Sequence, residues 1–440
     1  MAATPHGLTE ADVVAISAAY DEPEWLRDRR QEAFKAFADL DWPSNRDEEW
    51  RYTDPRRFAF DRPIVTAAGT AQRRDRGVVA TLRDDFDGLV RIVDGGVTAA
   101  TVCAEAAARG VVVTDLATAA RDHGELVRRW LGDVVPAATK LDALNLAAFT
   151  GGAFVYVPAE VELRRPIVVS VTAAGDGAVL PRILVVVEHA ATATIFVDHA
   201  GDATATVVET VEVVLGEGAH AAVVSVQDWG AGVDHVGSHT GLVGDNADYR
   251  SLEATLGGRT VYLRPDVRLD FPGGNAELLG VYFCDEGQQV EHRSLIHHNA
   301  SHTSSDLVYK GALQGDSRAS WFGNIRIEEH ARATASDQTN RNLILTDLAR
   351  ADSVPFLEIF NSDVVRCGHH SSVGQIDELQ LFYLESRGIP RQEAARLLVF
   401  GFFAEVTDRI AVPAVTDVVL AEVEREIRSG PTALMNERRR

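Results

Sequence analysis

From about residue 166 to about residue 365 the chain is written in short runs of valine, isoleucine and threonine, and alanines that follow a turn and precede a run recur at a nearly fixed interval. They fall at Ala191, Ala219, Ala247 and Ala276, spacings of 28, 28 and 29 residues, and similar small-residue corners recur at Ala319, Ala331 and Ala349. The runs at 167–171, 183–187, 194–197 and 207–214 are each ended within three residues by Gly, Ala or Asp. Branched residues bounded by such stops read as strands and turns. A period between 20 and 50 residues points to a solenoid, in which each coil of chain buries its apolar face only against its neighbours. A large antiparallel sandwich would also give short strands, but it offers no reason for a fixed period.

Helical patterns flank this region. Thr9 can cap a run carrying Val13, Val14 and Ile16, and Trp25, Phe34 and Phe37 recur at helical spacing up to Leu40. Pro43 and the charged segment 41–54 then break the periodicity. Residues 61–150 are mixed, with a strand expected at 89–93 and a helix at 116–131. After the strands, Asp377 can cap a helix with Leu379, Phe382, Tyr383 and Leu384; Gly388 marks its stop, and Pro390 can start the next. That next helix, expected from 391 to 409, carries Leu398, Phe402 and Phe403 and holds more apolar surface than one buried face requires. A last helix is expected at 416–429 with Val418, Leu420 and Val423. The expected organisation is a helical region at 1–60, a mixed lead-in at 61–150, a β core at 151–375 and a helical domain at 376–440.

Composition narrows the function. Lys and Arg number 43 against 65 Asp and Glu, a net charge of −22, so phosphate backbones and anionic membrane surfaces are poor partners. The first residues show no basic stretch followed by an apolar one, and no run of 18 apolar residues occurs, so the cytoplasm is the expected location. A phosphate-binding Gly-x-x-x-x-Gly-Lys loop, a Gly-x-Ser-x-Gly elbow and a His-Glu-x-x-His helix are all absent. Neither ATP hydrolysis nor these hydrolase chemistries is expected of this chain.

Three cysteines, Cys103, Cys284 and Cys367, are too few and too scattered for a disulfide framework or a four-thiolate site. Cys367 is the pointed one. In an extended strand residues two apart face the same way, so Cys367-Gly368-His369 sets a thiol beside an imidazole, ligands suited to iron, zinc or an iron-sulfur cluster. Two ligands make half a site, and no second pair of this kind completes it. The alternative is a buried cysteine acting as a small hydrophobe beside a hydrogen-bonded histidine. A second cluster, His292, His297, His298 and His302, suggests metal, but only His292 and His298 share a strand face and they lie too far apart to chelate one ion. Polar ladders within the solenoid are the expected role.

Several stretches together resemble the SufB/SufD family of bacterial sulfur-mobilisation proteins. They are the segment 47–53 (DEEWRYT), the turn 144–149 (LNLAAF) leading to Val157-Pro158, residues 340–345 (NRNLIL) with 349–355 (ARADSVP), and the block from Leu357 through Cys367-Gly368-His369 to Ile389. The Cys-x-His spacing and the length resemble the SufD branch more than SufB; His370, which makes the run Cys-Gly-His-His, departs from the pattern.

The resemblance implies a mainly β protein, a right-handed parallel β-helix core between helical domains. It also implies a non-catalytic scaffold subunit that pairs with SufB through the cores and binds the SufC ATPase through the C-terminal helices, here Leu379, Phe382, Tyr383, Leu398, Phe402 and Phe403. A homodimer could form where SufB is absent. Cys367 and His369 would then hold iron or a nascent iron-sulfur cluster at the SufB interface, with the missing ligands supplied by SufB. The rival readings are a SufB-like scaffold carrying the cluster itself, and a β-helix enzyme acting on polysaccharide.

Overall fold

The computed structural model describes residues 7–65 and 85–409, with positions 82, 416, 417, 420, 421, 424 and 425. Two ten-stranded sheets face each other across a packed interior, and successive coils of chain add one strand to each. On one face Thr192 pairs with His220, His220 with Asp248, Asp248 with Asn275 and Asn275 with Ser304, parallel throughout. On the other face Thr206 pairs with Asp234, Asp234 with Thr260, Thr260 with Gln289 and Gln289 with Arg318. The alanine period is therefore the length of one coil. The fold is a parallel β-solenoid, as the recurrence predicts.

The repeated alanines occupy its corners. Ala191, Ala219 and Ala247 donate their N–H groups to the carbonyls of Glu188, Gly216 and Gly244 at 3.1, 3.2 and 3.3 Å, closing a tight turn each time. The residue before each alanine is left-handed: Ala190 (φ 52°), Gly218 (φ 63°) and Asn246 (φ 51°). Ala191, Ala219, Ala247 and Ala276 are all completely buried, because each points inward beneath the next coil, where a larger side chain would collide.

The two ends of the solenoid differ. At the N-terminal end Gly88–Val93 extends one sheet and then pairs antiparallel with Gly96–Val102, while Val112–Asp115 closes the other sheet antiparallel to Gly151–Val157. At the C-terminal end the last strands, Arg350–Ile359 and Val364–Gln375, have no further strand beyond them among the described residues.

Helices cover the flanks. Glu10–Ala19 begins with a capping box between Thr9 and Asp12, and Glu24–Asp39 follows it. With Trp50, Phe58, Phe60 and the helix Lys140–Ala148 they bury the outer face of one sheet at Val208, Val236 and Tyr262. Asn145 pins this layer to the core: its side-chain amide donates to the carbonyls of Pro181 and Val208 at 2.9 and 2.8 Å, while its oxygen accepts from Arg182. At the other end, Glu378–Ser386 is capped by the Asp377 side chain and Arg391–Thr407 starts after Pro390. The latter lays Val399, Phe403 and Val406 on the outside of the other sheet, against Leu252, Val281 and Val308. The helix expected at 416–429 falls largely outside the described residues, including Val418 and Val423. Among the described residues no helix is long and apolar enough to cross a membrane.

Candidate functional site

Cys367 and His369 stand on the last strand, Val364–Gln375, paired with Ser336 and Gln338 of the strand below. Ser336 and Gln338 are fully buried, so the pair continues a row that faces the interior, at the point where the interior opens. Cys367 packs against the small apolar cluster of Ile325, Ile327 and Ala331 and is half-buried, whereas His369 is exposed. Burial, and secondarily the Asp337 carboxylate, push the Cys367 thiol up from its ordinary range. A neutral, shielded thiol is a poor nucleophile until a cation or a change of access favours the thiolate. His370 lies on the opposite side of the strand, with Nε2 3.7 Å from an Asp337 carboxylate oxygen.

The rim around this pair is apolar. Phe356, Ile359, Phe360, Val365 and Val373 are exposed, Val365 to 73%. Unpaired N–H and C=O groups beside exposed apolar side chains make a surface that another strand or sheet can continue.

Beneath the rim the interior carries a polar column. Asn340 donates to the Tyr282 hydroxyl and to the Tyr309 carbonyl at 3.1 and 3.2 Å, and Asn342 donates to the Asn340 side chain at 2.7 Å. The ring of His292 meets the rings of Tyr282 and Tyr309 edge-on and reaches the Thr255 hydroxyl at 3.0 Å. His298 sits between the hydroxyls of Thr303 and Ser305, and His297 points outward to Glu328. His292 and His297 thus bond to neighbours on other coils and His298 within its own, while His302 is exposed at a corner with φ 61°. Burial drives the imidazoles of His292 and His298 down to about 4, so both are neutral there. Cys284 is also sealed in this interior, and burial raises its thiol.

The C-terminal residues divide into two groups. Leu379, Phe382 and Tyr383 are exposed to 74%, 63% and 57% on the helix Glu378–Ser386. Leu398 and Phe402 are half-buried, and Phe403 is completely buried against the solenoid. Phe403 is therefore core: the surplus apolar surface of this helix goes onto the outer sheet, which sequence periodicity alone does not reveal.

A second buried polar group in the interior escapes sequence reading. His199, Glu209, His235, His239 and Glu253 come from four strands and converge with less than a tenth of their surface exposed. Burial alone would raise the Glu209 carboxyl, but His199, His235 and His239 outweigh it and hold Glu209 well below the usual carboxylate range. The one local signal was the alternation His235-Val-Gly237-Ser-His239, two imidazoles on one strand face with a glycine between them.

A parallel β-solenoid flanked by helices, with a thiol and an imidazole where its last described strands end, suits a scaffold-type protein. The comparisons agree. The model of the SufBD core domain of the SUF system for iron-sulfur cluster assembly matches residues 170–402, and that of the SufBD protein N-terminal region matches residues 16–169. The chain belongs to the SufBD family of iron-sulfur cluster assembly proteins. An iron-sulfur cluster assembly SufBD family protein of Mycobacterium tuberculosis (strain ATCC 25618 / H37Rv) is 34% identical over 420 residues, 92% of this chain and 94% of that relative. One from Mycobacterium leprae (strain TN) is 39% identical over 296 residues, 66% of this chain and 75% of its own. A third, from Staphylococcus epidermidis (strain ATCC 12228 / FDA PCI 1200), is 27% identical over 92% of this chain and 90% of its own.

Proposed function

We propose that this chain is the SufD-type subunit of a cytoplasmic SufB-SufC-SufD assembly, pairing with SufB through the open end of the solenoid and offering Cys367 and His369 to iron or a nascent cluster there. The observation that carries the reading is the position of Cys367: half-buried, on an inward row, at the one solenoid end that no antiparallel strand closes among the described residues. A half-site at an unfinished sheet edge is completed by whatever continues the sheet, and SufB would supply both strand and missing ligands. Leu379, Phe382 and Tyr383, exposed on a helix that follows directly from the last strand, support docking of the SufC ATPase at the same end. ATP-driven movement of SufC would then act on the adjoining rim and change access to Cys367.

Co-expression with SufB and SufC tests this. Anaerobic reconstitution of the purified complex, followed by absorbance and bound iron, compares the wild type with Cys367→Ala and His369→Ala. Intact complexes with reduced cluster yield in both variants support the interface-ligand role. Unchanged yield would leave the chain a structural and ATPase-coupling subunit.

A further inference from the structure

Inside the solenoid, well away from the rim, the Glu209 carboxylate is met by three imidazoles. His199 Nε2 lies 2.8 and 3.0 Å from its two oxygens, and His239 Nε2 is 3.0 Å from Oε2. His235 Nε2 stands 3.5 Å from that same oxygen, and the ligand atoms of His199, Glu209 and His235 all lie within 4.8 Å of one another. None of the four side chains is more than 6% exposed.

The other ring nitrogens decide what each histidine can do. His199 Nδ1 lies 3.2 Å from the Val226 carbonyl, an acceptor only, so Nδ1 carries a proton. His239 Nδ1 lies 2.8 Å from a Glu253 oxygen and carries one likewise. Glu209 is likewise an acceptor only, so without an ion each Nε2 donates to it; an ion held between them would release those two protons to solvent and take up the lone pairs they leave. An N–H bonded outward to a carbonyl or carboxylate, with the opposite nitrogen turned inward, is how metal-binding histidines are oriented. His235 is different. The Trp229 indole donates to its Nδ1 at 3.2 Å, so its proton sits on Nε2, and that buried N–H has no hydrogen-bond partner.

A glycine borders the same point. Gly237 lies between His235 and His239 and is level with Glu209 in the sheet register. A Cβ there would meet Leu263 Cδ2 at 2.7 Å, His239 Nε2 at 3.1 Å and His235 Nε2 at 3.4 Å. The glycine keeps a side chain out of the tight gap between these two nitrogens and Leu263.

We propose that His199, Glu209 and His239 bind a divalent first-row transition-metal ion, with the His235 Nε2–H donating to a water or small anion in a remaining coordination position. Two imidazoles and a carboxylate suit zinc, iron(II) and cobalt(II) and leave such a position free. The His–Glu separations of 2.8 to 3.0 Å need to open only a few tenths of an ångström to match the roughly 3.3 Å between neighbouring ligands at zinc bond lengths of about 2.0–2.1 Å, while the His239 ring has to swing toward His199, since only His199, Glu209 and His235 already have ligand atoms within 4.8 Å of one another. Glu209 and Glu253 together cancel the charge of the ion, which leaves the dry interior neutral. The site is independent of Cys367 and His369.

The full chain, unfolded in chelator and refolded with either Zn²⁺ or Co²⁺, provides the test. One ion per chain is expected by elemental analysis, resistant to later chelator, with visible cobalt bands and no thiolate-to-cobalt charge transfer. Cys367→Ser and His369→Ala should keep the ion, whereas His199→Gln and His239→Gln should lose it. Wild-type protein that refolds cooperatively without bound zinc or cobalt would overturn the proposal, even if the histidine variants fail to fold. An ion retained by folded His199→Gln and His239→Gln but lost from Cys367→Ser would also overturn it.

Discussion

Trp50 stacks on Tyr262 with ring centroids 4.2 Å apart and planes within 5°, and the Tyr262 hydroxyl donates to the Glu49 carbonyl at 3.0 Å. This contact fastens the segment 47–53 to the outside of the solenoid, and Trp50 is 6% exposed. Trp50→Ala removes the ring and leaves a cavity, so it should cost about 3 to 5 kcal/mol. Trp50→Phe keeps part of the stacking and should cost less. Urea unfolding followed by circular dichroism reads both, and equal midpoints for wild type and Trp50→Ala would refute the fastening role.

Arg182 and Glu212 form an ion pair with no exposed surface on either side chain, at 2.8 Å. Glu212 also accepts the N–H groups of Gly132 and Val135 at 2.9 and 3.0 Å, and Arg182 donates to Asn145 and to the Val135 carbonyl at 3.0 and 3.2 Å. Removing the guanidinium strands a buried carboxylate, so Arg182→Met should lose about 3 to 5 kcal/mol. Part of that should return in Arg182→Met/Glu212→Gln, because the glutamine oxygen still accepts from the backbone. The double-mutant comparison, by the same unfolding method, checks the sign of the coupling.

Asp266 gives the fold a pH dependence. Its carboxyl retains some exposed surface by area, yet it is enclosed beside Arg264, Asp142 and Glu49. Burial raises it to about 7, with Asp142 and Glu49 adding to the rise and Arg264 and the Leu295 N–H opposing it. The folded state therefore holds a proton that the unfolded chain gives up near 4. The resulting stability is fully present below about pH 4 and is lost as pH rises through about 7. Asp266→Asn, which keeps the acceptor for Leu295, should gain on the order of 2 kcal/mol over wild type at pH 8 and nothing at pH 4. Melting curves at both pH values decide it: an equal gain at each would mean that the charge is not the cause.

The solenoid was legible because its physics is local and repeated. One left-handed residue and one inward alanine per coil, as at Ala190–Ala191 and Asn246–Ala247, write the period directly into the sequence. The caps at Thr9 and Asp377 were equally readable, since a cap is made within three residues. Cys367 and His369 could be paired from the sequence because they stand on one strand. The interior group around Glu209 was not, because its side chains lie on four strands and meet only when coil is stacked on coil. Phe403 was misassigned for a related reason: a helix pattern shows how much apolar surface exists, and only packing shows that Val308 and Val281 cover it.

The cysteines should separate in reactivity. Cys284 is completely buried with its thiol pushed up, so it should stay unlabelled by a maleimide until global unfolding. Cys367 is half-buried at the rim and should label slowly in the isolated chain. Cys103 is half-buried beside Asp87 and Arg165, so the labelled sites must be told apart by peptide mass. Rapid native labelling of Cys284 would show that the interior opens without unfolding.

The open end also predicts where assembly can be broken without harming the fold. Val365 is 73% exposed on the last strand of one sheet, and Phe360 is 52% exposed just after the last strand of the other. Charges at such edges are tolerated by the folded chain but oppose pairing with a further sheet. Val365→Glu and Phe360→Glu should each shift stability by no more than about 0.5 kcal/mol, as exposed positions usually do. The same variants should abolish association through this rim, whether with SufB or with a second copy. Size-exclusion chromatography with light scattering, run beside melting curves, separates the two effects. Loss of folding would assign these side chains to the core, and unimpaired association would move the interface elsewhere on the molecule.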